Sequence, residues 1–520
     1  MSNFSNYDKD VFLVKIDRMI DRGALLSRYS RASSTDIRDV YEKEFAGDEG
    51  KGQDFYRRVF LQYGDESIAE LVTAQMAVQN VSNIVSKVME ELRVGLSFLE
   101  KSSRYVRYDK KVSGAYLFLH GEKAGITGRN REDYDAYCDS LFQYYASNYE
   151  KVLDFYRKKF PIGEILFDGS EGPSTFSDAG SEEKMILEKS YQSSVRARAL
   201  DDLRYILPSS TLTNIGISGN GRAFTYLVQK LKSTGLPEAE KVADEIYSEL
   251  SGEFPELINS ALSGYGRELI EYKRKLDNPT QHLSGKEDAN IPEIVLLDYE
   301  ERKKALVKSL SIYNFSTGGE ALPTQMMKLR EMSLQDLGSV VAQLAGIRKN
   351  RRHKLHRAFE SVSYLFQITT NYGAFRDMQR HRFISINRQF LTPLYGHDTP
   401  EAFMGDGEFP EIMRQGKELW RRISDSQGYA IAQYAVPYAF RYPVSAYLNL
   451  RELAFFCELR STPQAHHDLR RIAIGMYDAV KGVHPELAAL IRFVDSSSYA
   501  LGRLRSEQAK EKKLRKLSER

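Results

Sequence analysis

The chain has 520 residues, enough for several domains with large cores, which excludes a small scaffold held together by disulfides or a structural metal. Hydrophobic residues are 42% and charged residues 28%, a globular balance rather than a disordered one. Lys+Arg 74 against Asp+Glu 71 leaves +3, so bulk charge argues for neither a nucleic-acid nor an acidic-membrane partner, and any cationic site must be local.

The cysteines, Cys138 and Cys457, are far apart and form no C-x-x-C, which argues against a disulfide framework or a thiolate zinc site. No stretch approaches the roughly 18 apolar residues of a membrane span, and the polar, acidic start MSNFSNYDKD does not read as a secretory leader. A soluble cytoplasmic protein is expected, and the 32 tyrosines predict a surface rich in phenolic hydroxyls.

In chain order, the first elements are a short apolar run, Val11 to Ile16, and a helix ending in LLSRYSRAS. The same order returns at Ile294 to Asp298, followed by ERKKALVKSLSIY, which predicts an internal repeat. Between them LDNPTQHLSGKEDANIP (276–292) carries Pro, Gly and charge without apolar periodicity, the pattern of a linker. The expected organisation is a first lobe over 1–275, this linker, a second lobe over 293–502 and a charged, solvated helical tail over 503–520.

Further signals sharpen the repeat. RYILP (204–208) is followed twelve residues later by Asn220-Gly-Arg222, and QYAVP (433–437) twelve residues later by Asn449-Leu-Arg451, each ahead of a helical pattern. The first half also holds an insertion, about 110–195, predicted as helices with a mobile loop around DGSEGPSTFSDAGSEE. The cation-dense run IRKNRRHKLHR (347–357) is read as lining an anionic site and opening a helix, AFESVSYLFQI.

Residues 373–395 place Arg376, Arg380, His381 and Arg382 near Ser385 and Asn387. Guanidinium forks match phosphate oxygens and the edges of electron-rich heterocycles, although a solvent-facing basic turn has the same composition. Arg380-His381-Arg382, then Ser385 and Asn387, resembles the R-H-R-x-x-S-x-N-E-x-S-x-R-Y signature of flavin-dependent thymidylate synthases (ThyX). The later part of that pattern fails here, because Phe390 and Thr392 stand where the family's serine and arginine grip deoxyuridylate.

The missing part resembles Glu100-Lys-Ser102-Ser-Arg104-Tyr105 of the first half, which in turn has Glu91-Leu92-Arg93 in place of Arg-His-Arg. Gly64-Asp65-Glu66-Ser67 through Glu70 resembles G-H-x-S-x-x-E-H without its histidines, and Glu360 is the equivalent glutamate of the second half. The family's arginine of A-R-x-V-L-P, a deoxyuridylate ligand, is Arg204 in one half and Gln433 in the other. Its ring-activating arginine is Leu231 in the first half and Arg460 in the second.

The resemblance implies an α+β fold of two tandem ThyX-like lobes, each a β-sheet packed with long helices, forming an intrachain pseudo-dimer. It implies one composite site, with Arg460 and Arg380 catalytic and Glu100, Ser102, Arg104, Tyr105 and Arg204 binding substrate. Arg380, His381, Arg382, Glu360, Asn449 and Arg451 would hold FAD, and Asn220 and Arg222 match the same family positions for a second, non-catalytic flavin. The implied reaction is reductive methylation of dUMP to dTMP with methylenetetrahydrofolate and NADPH. In it an arginine stabilises the electron-rich ring and no cysteine nucleophile is needed. No Rossmann or P-loop glycine motif opens a βα unit, so NADPH would bind over the flavin. Adjacent His466 and His467 diverge by about 100° on a helix, and no metal is expected. The remaining readings are a related flavin enzyme that leaves a different one-carbon unit, such as hydroxymethyl, and a non-catalytic nucleotide- or flavin-binding protein. The expected assembly is a homodimer mimicking the family's tetramer, with no nucleic acid and no membrane.

Overall fold

In the computed structural model, which describes residues 3–47, 51–63, 66–168, 172–277 and 287–518, two antiparallel sheets are covered by long helices. In chain order the strands are β1 (Thr73–Ser82), β2 (Leu96–Glu100), the two-residue β3 (Phe167–Asp168) and β4 (Pro173–Ser174), β5 (Leu212–Asn220), β6 (Ile294–Tyr299), β7 (Ser363–Asn371), β8 (Ser385–Arg388) and β9 (Arg441–Asn449). One sheet has the order β1-β5-β2 and the other β6-β7-β9-β8, so β7-β9-β8 repeats the first sheet and β6 is added at an edge. Even the register agrees, with Thr73 opposite Asn220 and Ser363 opposite Asn449.

The same residue types end the strands and start the helices. Ser82, Asn371, Asn220 and Asn449 each cap the following helix, their side chains accepting from the backbone N–H of Val85, Ala374, Ala223 and Glu452. The helices so started are Asn83–Glu90 and Tyr372–Met378 after β1 and β7, and Gly221–Ser233 and Leu450–Arg460 after β5 and β9. Arg460 is thus carried at the end of a helix whose start is fixed by Asn449.

The lobes meet about a pseudo-two-fold axis. Pro208 and Pro437, equivalent residues, pair antiparallel; the Ser209 N–H donates to the Val436 carbonyl and the Tyr438 N–H to that of Leu207, each at 2.9 Å. Off the axis, buried Glu238 accepts from Ser82 Oγ of its own lobe at 2.6 Å and from the Tyr434 hydroxyl of the other at 2.8 Å. Asp468 does the same, accepting from Asn371 at 2.6 Å and from the Tyr205 hydroxyl.

At a further related pair of contacts the charges are exchanged. Glu100 faces Arg380 at 3.6 Å, while Glu91, which occupies the place of Arg380, pairs with Arg388, which occupies the place of Glu100. Joining two first lobes would set Glu91 against Glu100, and joining two second lobes Arg380 against Arg388. Each like pairing is repulsive, so the charges favour the pairing of unlike lobes.

Several sequence expectations are corrected. The apolar run Val11 to Ile16, unlike its counterpart at Ile294 to Asp298 in β6, makes a single bridge, Phe4 to Val14, and Val11 and Leu13 are 86% and 68% exposed. AFESVSYLFQI is a short 3-10 turn, Arg357–Ser361, running into β7, since Val362, Tyr364, Phe366 and Ile368 are buried at every second position. Many tyrosines are core residues: Tyr56, Tyr134, Tyr156, Tyr372 and Tyr434 are fully buried, with hydroxyls reaching partners such as the Leu119 carbonyl (Tyr134) and Asp202 (Tyr156).

The insertion contributes the helices Arg129–Lys159 and Ser181–Leu203; residues 169–171 of its predicted loop and 278–286 of the predicted linker lie outside the described residues. The tail is a helix, Leu504–Ser518, but it is docked rather than solvated, with Leu501, Leu504 and Gln508 buried and its length against Ser181–Leu203. In the cation-dense run, Arg348 is buried in a bidentate pair with Glu458 at 2.6 and 2.7 Å, whereas Arg351, Arg352 and Arg357 are exposed. No helix among the described residues is long and apolar enough to cross a membrane.

If the tyrosine–carboxylate contacts join the lobes as described, Tyr205→Phe and Tyr434→Phe should each destabilise the protein by about 1–3 kcal/mol. Chemical denaturation followed by circular dichroism measures this, and unchanged midpoints for both variants would contradict it.

Candidate functional site

Two buried carboxylates gather five arginines where the lobes meet. Asp377, on the helix after β7, lies 3.4 Å from Arg204 and 3.9 Å from Arg380, and its backbone carbonyl accepts from Arg460 at 3.1 Å. Asp201, at the end of Ser181–Leu203, accepts a bidentate pair from Arg104 at 2.7 and 2.9 Å, with Arg503 at 3.5 Å. Arg104, Arg204 and Asp201 come from the first half, Asp377, Arg380 and Arg460 from the second, and Arg503 from the residue before the tail helix. Burial would raise the Asp201 carboxyl, but Arg104, then Arg503 and Arg204, hold it at about 2. Asp377 is likewise held well below the carboxylate range, against its burial, by Arg204, Arg104, Arg380 and Arg460. Five cations around two ionised carboxylates leave a surplus of positive charge suited to an anion.

Arg204 is the most deeply placed of the five. It is buried, and among the described residues its Nε and Nη2 have no hydrogen-bond partner. Its guanidinium lies against Gly373, where a Cβ would come within 3.1 Å of Nε, so the chain passes close because this residue has no side chain. Unpartnered charged donors are costly when buried, and an anion accepting from them removes the cost.

Arg460 is aimed by His381. The Arg460 Nε–H donates to His381 Nε2 at 2.7 Å, which places the ring proton on Nδ1, facing Glu452 Oε1 at 3.2 Å. Burial lowers the His381 pKa, with the Glu452 contact opposing, so the ring is neutral and able to accept. Burial also disfavours the charge on Arg460; Asp377 counters this, while Arg380 and Arg104 repel it.

Glu100 has no exposed side-chain surface. It accepts from Lys87 and Arg376 at 2.9 Å each and from Ser86 at 3.1 Å, and it faces Arg380. Burial would raise its pKa, but Arg376 and Lys87, followed by Arg380, hold it ionised. It braces cations from the other lobe and does not face open space. Ser102 Oγ accepts from the Arg104 N–H at 3.3 Å and so shapes that turn, and Tyr105 is 66% exposed with Arg503 stacked 4.6 Å from its ring.

Several of the residues expected to hold FAD are engaged by other groups of the protein. Arg451 donates to Glu360 at 2.8 Å and to the Leu355 carbonyl, Lys354 sits 3.5 Å over Phe455, Phe455 packs on His381, and Arg382 donates to the Leu96 carbonyl across the lobe interface. This run of cations and an aromatic ring fits a flavin and its pyrophosphate, with the Asn449 Oδ1 committed to capping its helix. In the other lobe Asn220 caps likewise and Arg222 pairs with Glu70 at 3.0 Å, the counterpart of Arg451 with Glu360. Asp65 of the upstream motif lies outside the described residues.

The pseudo-symmetric position holds no comparable cluster among its corresponding residues. Gln433, Leu231, Thr392 and Glu91 stand for Arg204, Arg460, Arg104 and Arg380. Leu231 and Gln433 are buried, and Glu91 is occupied by Arg388 and Lys230.

His466, His467 and Asp468 lie close enough for a metal, their ligand atoms within 4.8 Å of one another, but each is committed elsewhere. His466 caps its helix through Asp468 N–H, His467 Nδ1 meets Arg198 at 2.6 Å, and Asp468 takes Tyr205 and Asn371. A cavity of about 520 Å³ lies beside these residues, reaching Arg441 and Asp398. A second, of about 270 Å³, touches Asp201 and Arg503 directly.

Residues 17–256 and 296–486 match the Thy1 family, described as thymidylate synthase complementing protein. The chain belongs to this family. A UPF0159 protein of Thermoplasma acidophilum is 48% identical over 95% of this chain and 99% of its own, and one from Chlamydia muridarum is 32% identical over 98% and 96%. Among solved structures, the UMP/dUMP methylase PolB of Streptomyces cacaoi bound with 5-Br dUMP is 18% identical, covering 40% of this chain and 98% of its own at a TM-score of 0.29. The flavin-dependent thymidylate synthase ThyX of Helicobacter pylori complexed with FAD and dUMP is 19% identical, covering 39% and 100% at 0.28. The tandem Thy1 match agrees with the two sheets described above.

Within this Thy1 chain the composite arrangement brings Arg104, Arg204, Arg380 and Arg460 together. Sequence reasoning missed Asp201 and Asp377, although each stands three residues before a key arginine, and it missed Arg503, for which the local sequence offers no signal.

The Asp201 carboxyl titrates at about 2, below the ordinary value of about 3.9, so its stabilisation is complete above about pH 4 and is lost as pH falls towards 2. Asp201→Asn should lower stability at neutral pH by about 2–3 kcal/mol and flatten its decline between pH 4 and 2. Denaturation midpoints against pH measure this, and an unchanged slope would contradict the ion pairs.

Proposed function

We propose that this protein is a flavin-dependent thymidylate synthase that reductively methylates dUMP to dTMP at one composite site per chain, with methylenetetrahydrofolate and NADPH as co-substrates. The observation carrying this reading is the buried Arg204 guanidinium, whose Nε and Nη2 have no partner among the described residues, inside an arginine cluster built from both halves at the positions the family resemblance marks. A nucleotide monophosphate brings two acceptor-rich anionic regions, the phosphate and the ring carbonyl edge, and five arginines around two carboxylates match both.

In this proposal Arg104 and Arg204 hold the nucleotide, with Ser102 shaping the Arg104 turn and Tyr105 at the rim. Arg460 donates to the uracil carbonyl edge and stabilises negative charge as it develops on the ring; two of its five N–H donors are spent on His381 and Asp377, leaving the rest of the fork. Arg380, 39% exposed and oriented by Glu100 and Asp377, supports the same charge. Glu100 therefore acts here by holding Arg380 rather than by touching substrate. FAD, when bound by residues that include Arg382, Arg451 and Glu360, supplies the hydride that completes the methyl group. Neutral His381 keeps Arg460 aligned by accepting its Nε–H. Two chains together would provide the four lobes of a tetrameric relative, so a homodimer is the proposed assembly.

Mass spectrometry of the nucleotide after incubation with dUMP, methylenetetrahydrofolate, FAD and NADPH tests the reading. Thymidylate is the expected product, and Arg460→Ala should cut turnover by at least about 100-fold while flavin remains bound. A hydroxymethylated nucleotide, or no product from protein that binds dUMP and flavin, would overturn the assignment.

A further inference from the structure

The tail after residue 486 lies beyond the segments that match the family, and the insertion has no counterpart of similar length in the second half. The structure joins these two features. The helix Leu504–Ser518 packs along Ser181–Leu203 of the insertion, with Leu501 and Leu504 buried in the seam. Gln508 exchanges two hydrogen bonds with the Asp168 backbone, at 3.2 and 2.8 Å, and Arg505 and Arg515 pair with Asp168 and Glu182. These contacts fix the residue just before the helix, Arg503, over the arginine site.

Arg503 is buried, stacks on Tyr105, and approaches Asp201 at 3.5 Å without making a hydrogen bond. Among the described residues both Nη1 and Nη2 lack any hydrogen-bond partner. Asp201 is already taken by the bidentate Arg104, so it gives Arg503 charge but no good acceptor. Arg503 also lines the cavity of about 270 Å³ that reaches Asp201. A second set of unsatisfied buried guanidinium donors, on a residue whose charge is felt by Arg204 and Asp201, calls for oxygen acceptors from outside the protein.

We propose that Arg503 is a further substrate-binding residue, donating from Nη1 and Nη2 to the phosphate of the bound nucleotide, and that the insertion and tail helix serve to place it there. This deepens the function proposed above and rests on its nucleotide reading. It gives the insertion a role: Ser181–Leu203 carries Asp201 at its end and provides the groove in which the tail docks.

The test is equilibrium binding of dUMP and of deoxyuridine, which lacks the phosphate, to the full chain and to Arg503→Gln, Arg503→Lys and Lys513→Ala. Arg503→Gln should weaken dUMP roughly 10- to 100-fold and leave deoxyuridine unchanged, while Arg503→Lys recovers part of the loss. Lys513→Ala, which removes an exposed cation from the same helix, should bind dUMP as the unaltered protein does. Unchanged dUMP affinity in Arg503→Gln overturns the proposal, as does an equal loss for both ligands, which would mean that the residue only supports the fold. A thermal melt of each variant separates the latter from unfolding. If the unaltered protein ignores dUMP but binds inorganic phosphate, and Arg503→Gln loses that binding, the nucleotide reading fails while Arg503 stands as an anion ligand. Binding of neither overturns both.

Discussion

Five guanidinium groups share one poorly hydrated region only because Asp201 and Asp377 stand among them ionised. Removing a charge from water costs several kcal/mol, and an ion pair offsets this only with close geometry and satisfied donors. Asp201 meets that condition through its bidentate contact with Arg104. The compensation is incomplete elsewhere: among the described residues Arg204 and Arg503 keep unpartnered donors, and Arg460 is repelled by Arg380 and Arg104 as well as held by Asp377. The site is therefore stable enough to form and still short of negative charge, the condition under which an anionic ligand adds most.

That site exists once because the two lobes are similar in backbone and different in charge. Three strands of the second sheet repeat the first sheet, the helix caps recur, and Glu238 and Asp468 receive a tyrosine from the opposite lobe in the same way. On this symmetric frame the side chains diverge. Glu100 with Arg380 on one side and Arg388 with Glu91 on the other exchange acid for base, which penalises like-with-like association. The position related to Arg460 is a buried leucine, so one cleft keeps the arginines and the other is packed.

How much of this was visible in the chain depends on the range over which each feature is specified. Arg204 with Asn220 and Gln433 with Asn449 keep matching spacings, and the caps and helices they begin are local consequences of those residues. The complementary losses at Leu231, Gln433, Phe390 and Thr392 could be read for the same reason, since each is a substitution at a fixed register. Asp201 and Asp377 had a local signal, a carboxylate three residues before an arginine, that composition alone does not separate from an ordinary helix-surface pair. Arg503 had none, because its position depends on where a charged helix docks against an insertion some 300 residues away in sequence. The segment after Arg357 was misread as a helix because short apolar stretches fit a strand or a helix equally well until a partner strand is known.

The central claim is that the chain holds one nucleotide site, assembled from both lobes. Isothermal titration of the flavin-loaded protein with dUMP measures it most directly. The account predicts one nucleotide bound per chain, with binding lost on substitution of Arg204 and retained when its counterpart Gln433 is changed to Ala. Two equivalent nucleotides per chain, or binding that survives loss of Arg204, would contradict it.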